Sequence, residues 1–240
     1  MVAVKGGACA VVLCLLAGVR PAFCGTCPVP EGAAAALSAR DVEARRLFLG
    51  QAVASEASAA RSWLLGWGLG HGALLSGNLV LAEVGDRSAR PDRIVAASAA
   101  GVGLLATQLG RHGALRASRQ LEALAGTSCA ALAEAEAAFV QLAEDDRRTT
   151  AWYMHAVNVA FNVGMGLILG LGYDRWGPAA LQMGVGSAVG EALILTRPTA
   201  AIDALARYRA GELSPPSSAR VVPLLVATPG SVLLGAAATF

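Results

Sequence analysis

Charge, aromatic rings and above all lysine are scarce in this chain. Asp, Glu, Lys and Arg together make up 15% of it, aromatics 5%, and Lys5 is the one lysine among nineteen basic residues. With a net charge of +2 and no Lys/Arg cluster interleaved with aromatics, nucleic acid is excluded as a partner. The signature loops of common enzymes are missing too. There is no Walker A loop, no Gly-x-Gly-x-x-Gly after a strand and no His-Glu-x-x-His. No metal ligand set and no cofactor is therefore expected.

What is present is apolar and small. Hydrophobic residues are 55% of the 240, glycines number 28, and mean hydropathy is +0.54. An apolar mixture of Ala, Leu, Val and Gly suits helices packed closely in a membrane better than an aromatic-rich soluble core.

The N-terminus has the form of a secretory signal. Lys5 supplies the charged region, and Ala8 to Val19 is an apolar run too short to span comfortably. Ala22 and Cys24 are small residues at the third and first positions before a cut, giving residues 1–24 as signal peptide. Of five cysteines only Cys27 and Cys129 then remain, and an oxidising compartment would let them form a disulfide.

Four apolar segments follow: Trp63 to Val84, Ile94 to Leu109, Ala151 to Tyr173 and Gly177 to Leu195. Their lengths are near the ~20 residues that a bilayer requires. Short turns holding Asp86-Arg87 and Asp174-Arg175 force each pair into an antiparallel helical hairpin. Trp63 precedes its Asp-Arg turn by almost the same interval as Trp152 precedes its own. Pro91 and Pro178 follow the turns, and Gly101/Gly103 recur as Gly184/Gly186. The chain reads as a tandem duplication, a flanking helix and then a membrane hairpin, twice.

The first flanking helix is expected to start at Ser38, in a Ser-x-x-Asp41 capping box. The second places Leu121, Leu124, Leu132, Ala135, Phe139 and Leu142 at helical spacing. The fold class is thus an all-α membrane protein with four transmembrane helices, two tandem hairpins and flanking amphipathic helices. Its segments are 1–24 (signal), 25–62 (flanking helix), 63–110 (hairpin), 111–150 (flanking helix), 151–196 (hairpin) and 197–240. The last holds a helix from Ala200 to Arg209, a linker, and an apolar tail that could turn as a β-hairpin around Pro229-Gly230.

Polar residues inside the spans are the candidate site. His155, Asn158 and Asn162 fall on one helical face that Gly166 and Gly170 continue, and His71 and Asn78 are likewise seven apart. Glu191, on the last span, is an ionisable residue whose cost in a membrane suggests function, unless it snorkels to the nearby end. Asn158-x-x-x-Asn162 followed by Gly170 resembles the second span of a rhomboid protease, in which a histidine stands at the position of Asn158. Ser187 lacks the Gly-x-Ser-Gly setting and no histidine follows it, so its hydroxyl has no activating base and that proteolysis is excluded.

A cleaved signal puts residues 25–62 outside and the short turns, with Arg87, Arg90, Arg93 and Arg175, in the cytoplasm. Thirteen arginines would then lie outside, against the positive-inside rule. The signal is weighed more heavily, because most of those arginines sit in long segments mixed with acids.

The expectation is a bacterial cell-envelope protein, in the inner rather than the outer membrane. Its partners are the lipid bilayer and either a second copy or another membrane protein. A structural or interaction role leads, a small-solute or proton-coupled transporter is the alternative, and an enzyme comes third.

Overall fold

The computed structural model describes residues 27–109, 112–124, 128–214, 220–228 and 231–239; the expected signal peptide lies outside them. Among the described residues, eight helices run α1 (Ala35–Ser38), α2 (Val42–Val84), α3 (Arg90–Leu109), α4 (Gly113–Ala123), α5 (Cys129–Thr149), α6 (Trp152–Tyr173), α7 (Trp176–Leu195) and α8 (Ala200–Ala210). A short 3-10 turn at Arg87–Ala89 joins α2 to α3. The tail forms two antiparallel strands, β1 (Arg220–Thr228) and β2 (Ser231–Thr239), with Thr228 opposite Ser231 across the turn expected at Pro229-Gly230.

The helical body is a packed head on four apolar legs. The head buries Phe48, Leu49 and Val53 of α2, Leu132, Phe139 and Leu142 of α5, and Leu205 and Tyr208 of α8 around one core. α1 is pinned to the end of α8, where Ala34 N–H donates to Arg209 O at 2.8 Å and Arg40 Nε to Gly211 O at 3.0 Å. Gly211 closes α8 with a positive φ, in the left-handed region that favours glycine.

The legs are α3, α6, α7 and the second part of α2. α2 lies along α3 and α6 along α7, with α3 against α6 between the two pairs. These are four helices long and apolar enough to cross a membrane. Their outward leucines stay uncovered: Leu65, Leu69, Leu109, Leu171 and Leu195 are 65–78% exposed. A small second core of Val95, Leu169 and Ala179 forms where the legs meet.

Two expectations for the flanking helices are corrected. Ser38 is not an N-cap. It ends α1, its hydroxyl donating to Ala35 O at 2.6 Å, and α2 starts after Asp41, whose side chain makes no capping bond. The docking of α1 on α8 makes the chain turn there, before the long helix begins. From Val42 that helix then runs unbroken to Val84, so the flanking helix and the first apolar helix are one continuous helix through residue 62. The second flanking helix is two helices, because Ser128 opens α5 as a new N-cap, accepting from Ala131 N–H at 3.1 Å.

The head is cross-tied. Cys27 and Cys129 are joined as a disulfide, their Cα atoms 5.3 Å apart and 102 residues apart in sequence. Behind it lies a buried cation. Arg45 donates from Nε to Tyr208 Oη at 3.1 Å, and to the backbone oxygens of Cys27 and Pro28 at 3.3 and 2.9 Å. It also pairs with the Glu136 carboxylate, to which Tyr208 donates its hydroxyl. A buried ion pair survives desolvation when its remaining hydrogen-bonding capacity is filled, and this one is filled from three helices and the N-terminal segment.

Candidate functional site

α6 and α7 approach closely along the expected polar stripe. Asn162 Nδ2 donates to Asn158 O at 3.0 Å and to Asn158 Oδ1 at 2.9 Å. Asn158 Nδ2 in turn donates to Ser187 O at 2.9 Å and to Glu191 Oε1 at 2.8 Å, on the facing helix. The other carboxylate oxygen of Glu191 lies 2.5 Å from His155 Nδ1. A carboxylate only accepts, so that nitrogen carries the proton. His155, Asn158, Asn162 and Glu191 therefore form one ladder.

Glycine makes the ladder fit. A Cβ on Gly186 would collide with the Asn162 side chain, and one on Gly190 with that of Asn158. Gly166 meets Met183 and the Ala179 carbonyl in the same sense, and Gly170 lies under the Trp176 ring. Small residues let the backbones close, and polar side chains then bond across the gap.

The first pair of legs repeats the steric device without the ladder. His71 is buried with its ring against Gly103, where a Cβ would collide with it, and lies edge-on to Trp67 at 5.7 Å between centroids. In both pairs a polar side chain of the first helix sits over a glycine of the second. His71 Nδ1 is buried with no hydrogen-bond partner. Asn78 does not join it: that side chain is half-buried and donates to Leu74 O of its own helix at 2.8 Å.

The Asp-Arg turns divide their labour. Asp86 caps the 3-10 turn, accepting from Ser88 N–H at 2.9 Å and Ser88 Oγ at 2.7 Å, and Arg87 begins that turn, exposed. Asp174 ends α6 in the left-handed region, the one described residue other than glycine with a positive φ. Arg175 reaches across to the other turn, with Nε and Nη2 donating to the two carboxylate oxygens of Asp92 at 2.5 and 2.6 Å. Asp92 was not singled out in the sequence, where nothing distinguishes it from other turn carboxylates.

A second cluster, also unanticipated, lies at the junction of head and legs. A cavity of about 20 Å³ is lined by Glu56 and Trp63 of α2, His112 before α4, Asp146 of α5, and Arg197 in the link from α7 to α8. A sequence signal for it did exist. Glu56 interrupts the buried series Leu49, Ala52, Val53, Ala60, and Asp146 continues the series Leu132, Ala135, Phe139, Leu142 at the same spacing. A carboxylate at core spacing on an otherwise apolar stripe marks a buried charge.

Among the described residues, no group of three or more His, Cys, Asp or Glu is placed to hold a metal ion. No protein-family model, curated protein or solved structure matches the chain.

Proposed function

We propose that the chain is a bacterial-type envelope membrane protein with a structural or interaction role, built from two tandem hairpins in the inner membrane under an extracytoplasmic head. One observation carries that reading. The polar groups between α6 and α7 are spent on each other and on the facing backbone, as Asn158 is on Glu191 and Ser187 O and Asn162 on Asn158, over Gly190 and Gly186. Such an arrangement welds helices together, at about 0.6 kcal/mol per polar contact in a membrane. The uncovered leucines face lipid, a second copy or another membrane protein.

Topology follows from two further features. The Arg175–Asp92 pair brings both turns to one end of the bundle, so both hairpins enter from the same side. The secretory-type N-terminus and the Cys27–Cys129 bond support a head on the oxidising side. The matched steric pairs His71/Gly103 and Asn162/Gly186 support descent of the two hairpins from one duplicated unit.

The test is cysteine accessibility in intact cells, with an impermeant maleimide and single exposed cysteines at Ser88→Cys and Glu134→Cys. Labelling at 134 but not at 88 is expected. Labelling at 88 alone would invert the topology.

One observation favours proton-coupled transport as the second reading: His155 and Glu191 form an ionisable pair whose side chains are each about one-third exposed. Their position decides against it. Glu191 is one turn from the end of α7, within snorkelling reach of the head. Normal abundance with loss of a transport phenotype in Glu191→Gln would reverse that preference.

A further inference from the structure

The junction cavity joins three parts of the molecule. Trp63 Nε1 and Trp67 Nε1 of α2 both donate to Thr196 Oγ1, at 3.3 and 3.0 Å, fixing the α7–α8 link against α2. The next residue, Arg197, lies over the Trp63 ring with its guanidinium 5.5 Å from the centroid. Into the same cavity comes Asp146 of α5, only 6% exposed, with Oδ2 unpartnered. The volume of about 20 Å³ has room for about one water molecule.

Every element around Asp146 contributes a titratable or charged group. α2 brings Glu56, the residue before α4 is His112, α5 adds the neighbouring Asp145, and the α7–α8 link brings Arg197. Asp145 is engaged outward by Arg116 of α4 at 2.7 Å. Burial holds His112 below its ordinary range, and its Nε2, 2.9 Å from the carbonyl Thr107 O, donates there. Arg197 remains a cation. Two carboxyl groups thus share a near-dry cavity with one guanidinium.

We propose that this cavity is a proton-binding site, in which Asp146 is held as the neutral acid between the head and the α7–α8 link. The physical basis is the cost of an unpartnered carboxylate out of water, with a second carboxylate beside it. A neutral acid can donate to a water in the cavity, which an ionised one cannot. Burial first, then the Glu56 charge, pushes the Asp146 carboxyl up to about 7, against the opposing pull of Arg197. None of these contacts depends on whether the legs lie in a bilayer.

Infrared spectroscopy of the full chain purified in detergent micelles tests this directly. A protonated carboxyl band is expected at pH 6, disappearing with a midpoint near pH 7 and absent in Asp146→Asn. Glu56→Gln removes the neighbouring negative charge and is expected to lower the midpoint. The absence of such a band at pH 6, or its survival in Asp146→Asn, would overturn the assignment. Should Asp146→Asn fail to fold, Glu56→Gln decides alone: an unmoved midpoint would overturn the site.

Discussion

Arg175 and Asp92, 83 residues apart, meet as a two-pronged ion pair that ties the turn after α6 to the start of α3. A guanidinium fork matched to both oxygens of one carboxylate is geometrically selective in a way that a lysine contact is not. We expect Arg175→Lys to lose most of the tie and Asp92→Ala all of it, each lowering the melting temperature by a few degrees. The charge-swapped pair Asp92→Arg with Arg175→Asp is expected to recover part of the loss. No recovery would mean that each residue acts alone.

Glycine substitutions separate tight from open positions along α7. Gly186→Ala and Gly190→Ala push a methyl into Asn162 and Asn158, whereas Gly184 has nothing within 4 Å of where a Cβ would stand. The first two are expected to cost roughly 1–3 kcal/mol each, as overpacking does. Gly184→Ala is expected to be neutral or slightly stabilising, and denaturant titration in micelles checks all three.

The disulfide closes a loop of about a hundred residues. In the chain-entropy picture such a closure contributes about 4–5 kcal/mol, and loss of a native bond typically costs about 2–5 kcal/mol. Cys27→Ser should therefore lower stability by that order and remove the mobility difference between reduced and non-reduced protein. An unchanged melting temperature would show that the Arg45 contacts to Cys27 and Pro28 hold this segment alone.

Removing one partner of the buried Arg45–Glu136 pair should be far worse than removing one from the exposed Arg90–Glu83 pair. Glu136→Ala leaves the buried Arg45 cation without its counter-charge and is expected to cost about 3–5 kcal/mol. Glu83→Ala should change stability by well under about 1 kcal/mol, since exposed pairs contribute little. Comparing the two unfolding curves is sufficient.

Stability should fall as pH rises from about 4 to 7. The folded chain keeps the Asp146 proton up to about pH 7, while an unfolded aspartate releases it near pH 4. Across that window the folded state binds more protons, so each unit of rising pH removes up to about 1.4 kcal/mol from this source, and none above it. Asp146→Asn should flatten that part of the profile. A wild-type curve that rises over the same window, with the variant unchanged, would contradict it.

The all-helical body and the four apolar helices were legible because hydrophobic run length and period are properties of single segments. So was the ladder, in part: one helical face held His155, Asn158 and Asn162, and Glu191 stood out as an ionisable residue on the facing helix. What the sequence hid was partnership. Nothing local says that Arg175 belongs to Asp92, or that Arg45 reaches Glu136 and Tyr208 across the head. The continuity of α2 was missed because its polarity changes near Trp63, and a change of environment looks like a boundary even where the backbone hydrogen bonds run on. The junction carboxylates are hidden for the opposite reason: Glu56 and Asp146 stand on flanking helices that carry other charges, where a carboxylate looks solvent-facing.

That continuity has a mechanical consequence. The 43 residues of α2 make a single unbroken rod, anchored in the head core at one end and packed along α3 at the other. An α-helix rises about 1.5 Å per residue, so a rod of this kind is roughly twice as long as the ~30 Å hydrocarbon core is thick. No proline interrupts it, so the commonest cause of a sharp helix kink is absent. In the proposed bilayer placement, a thinner or thicker membrane is accommodated by tilting the helix. In that placement the head leans with it, and bilayer thickness sets the attitude of the head's surface.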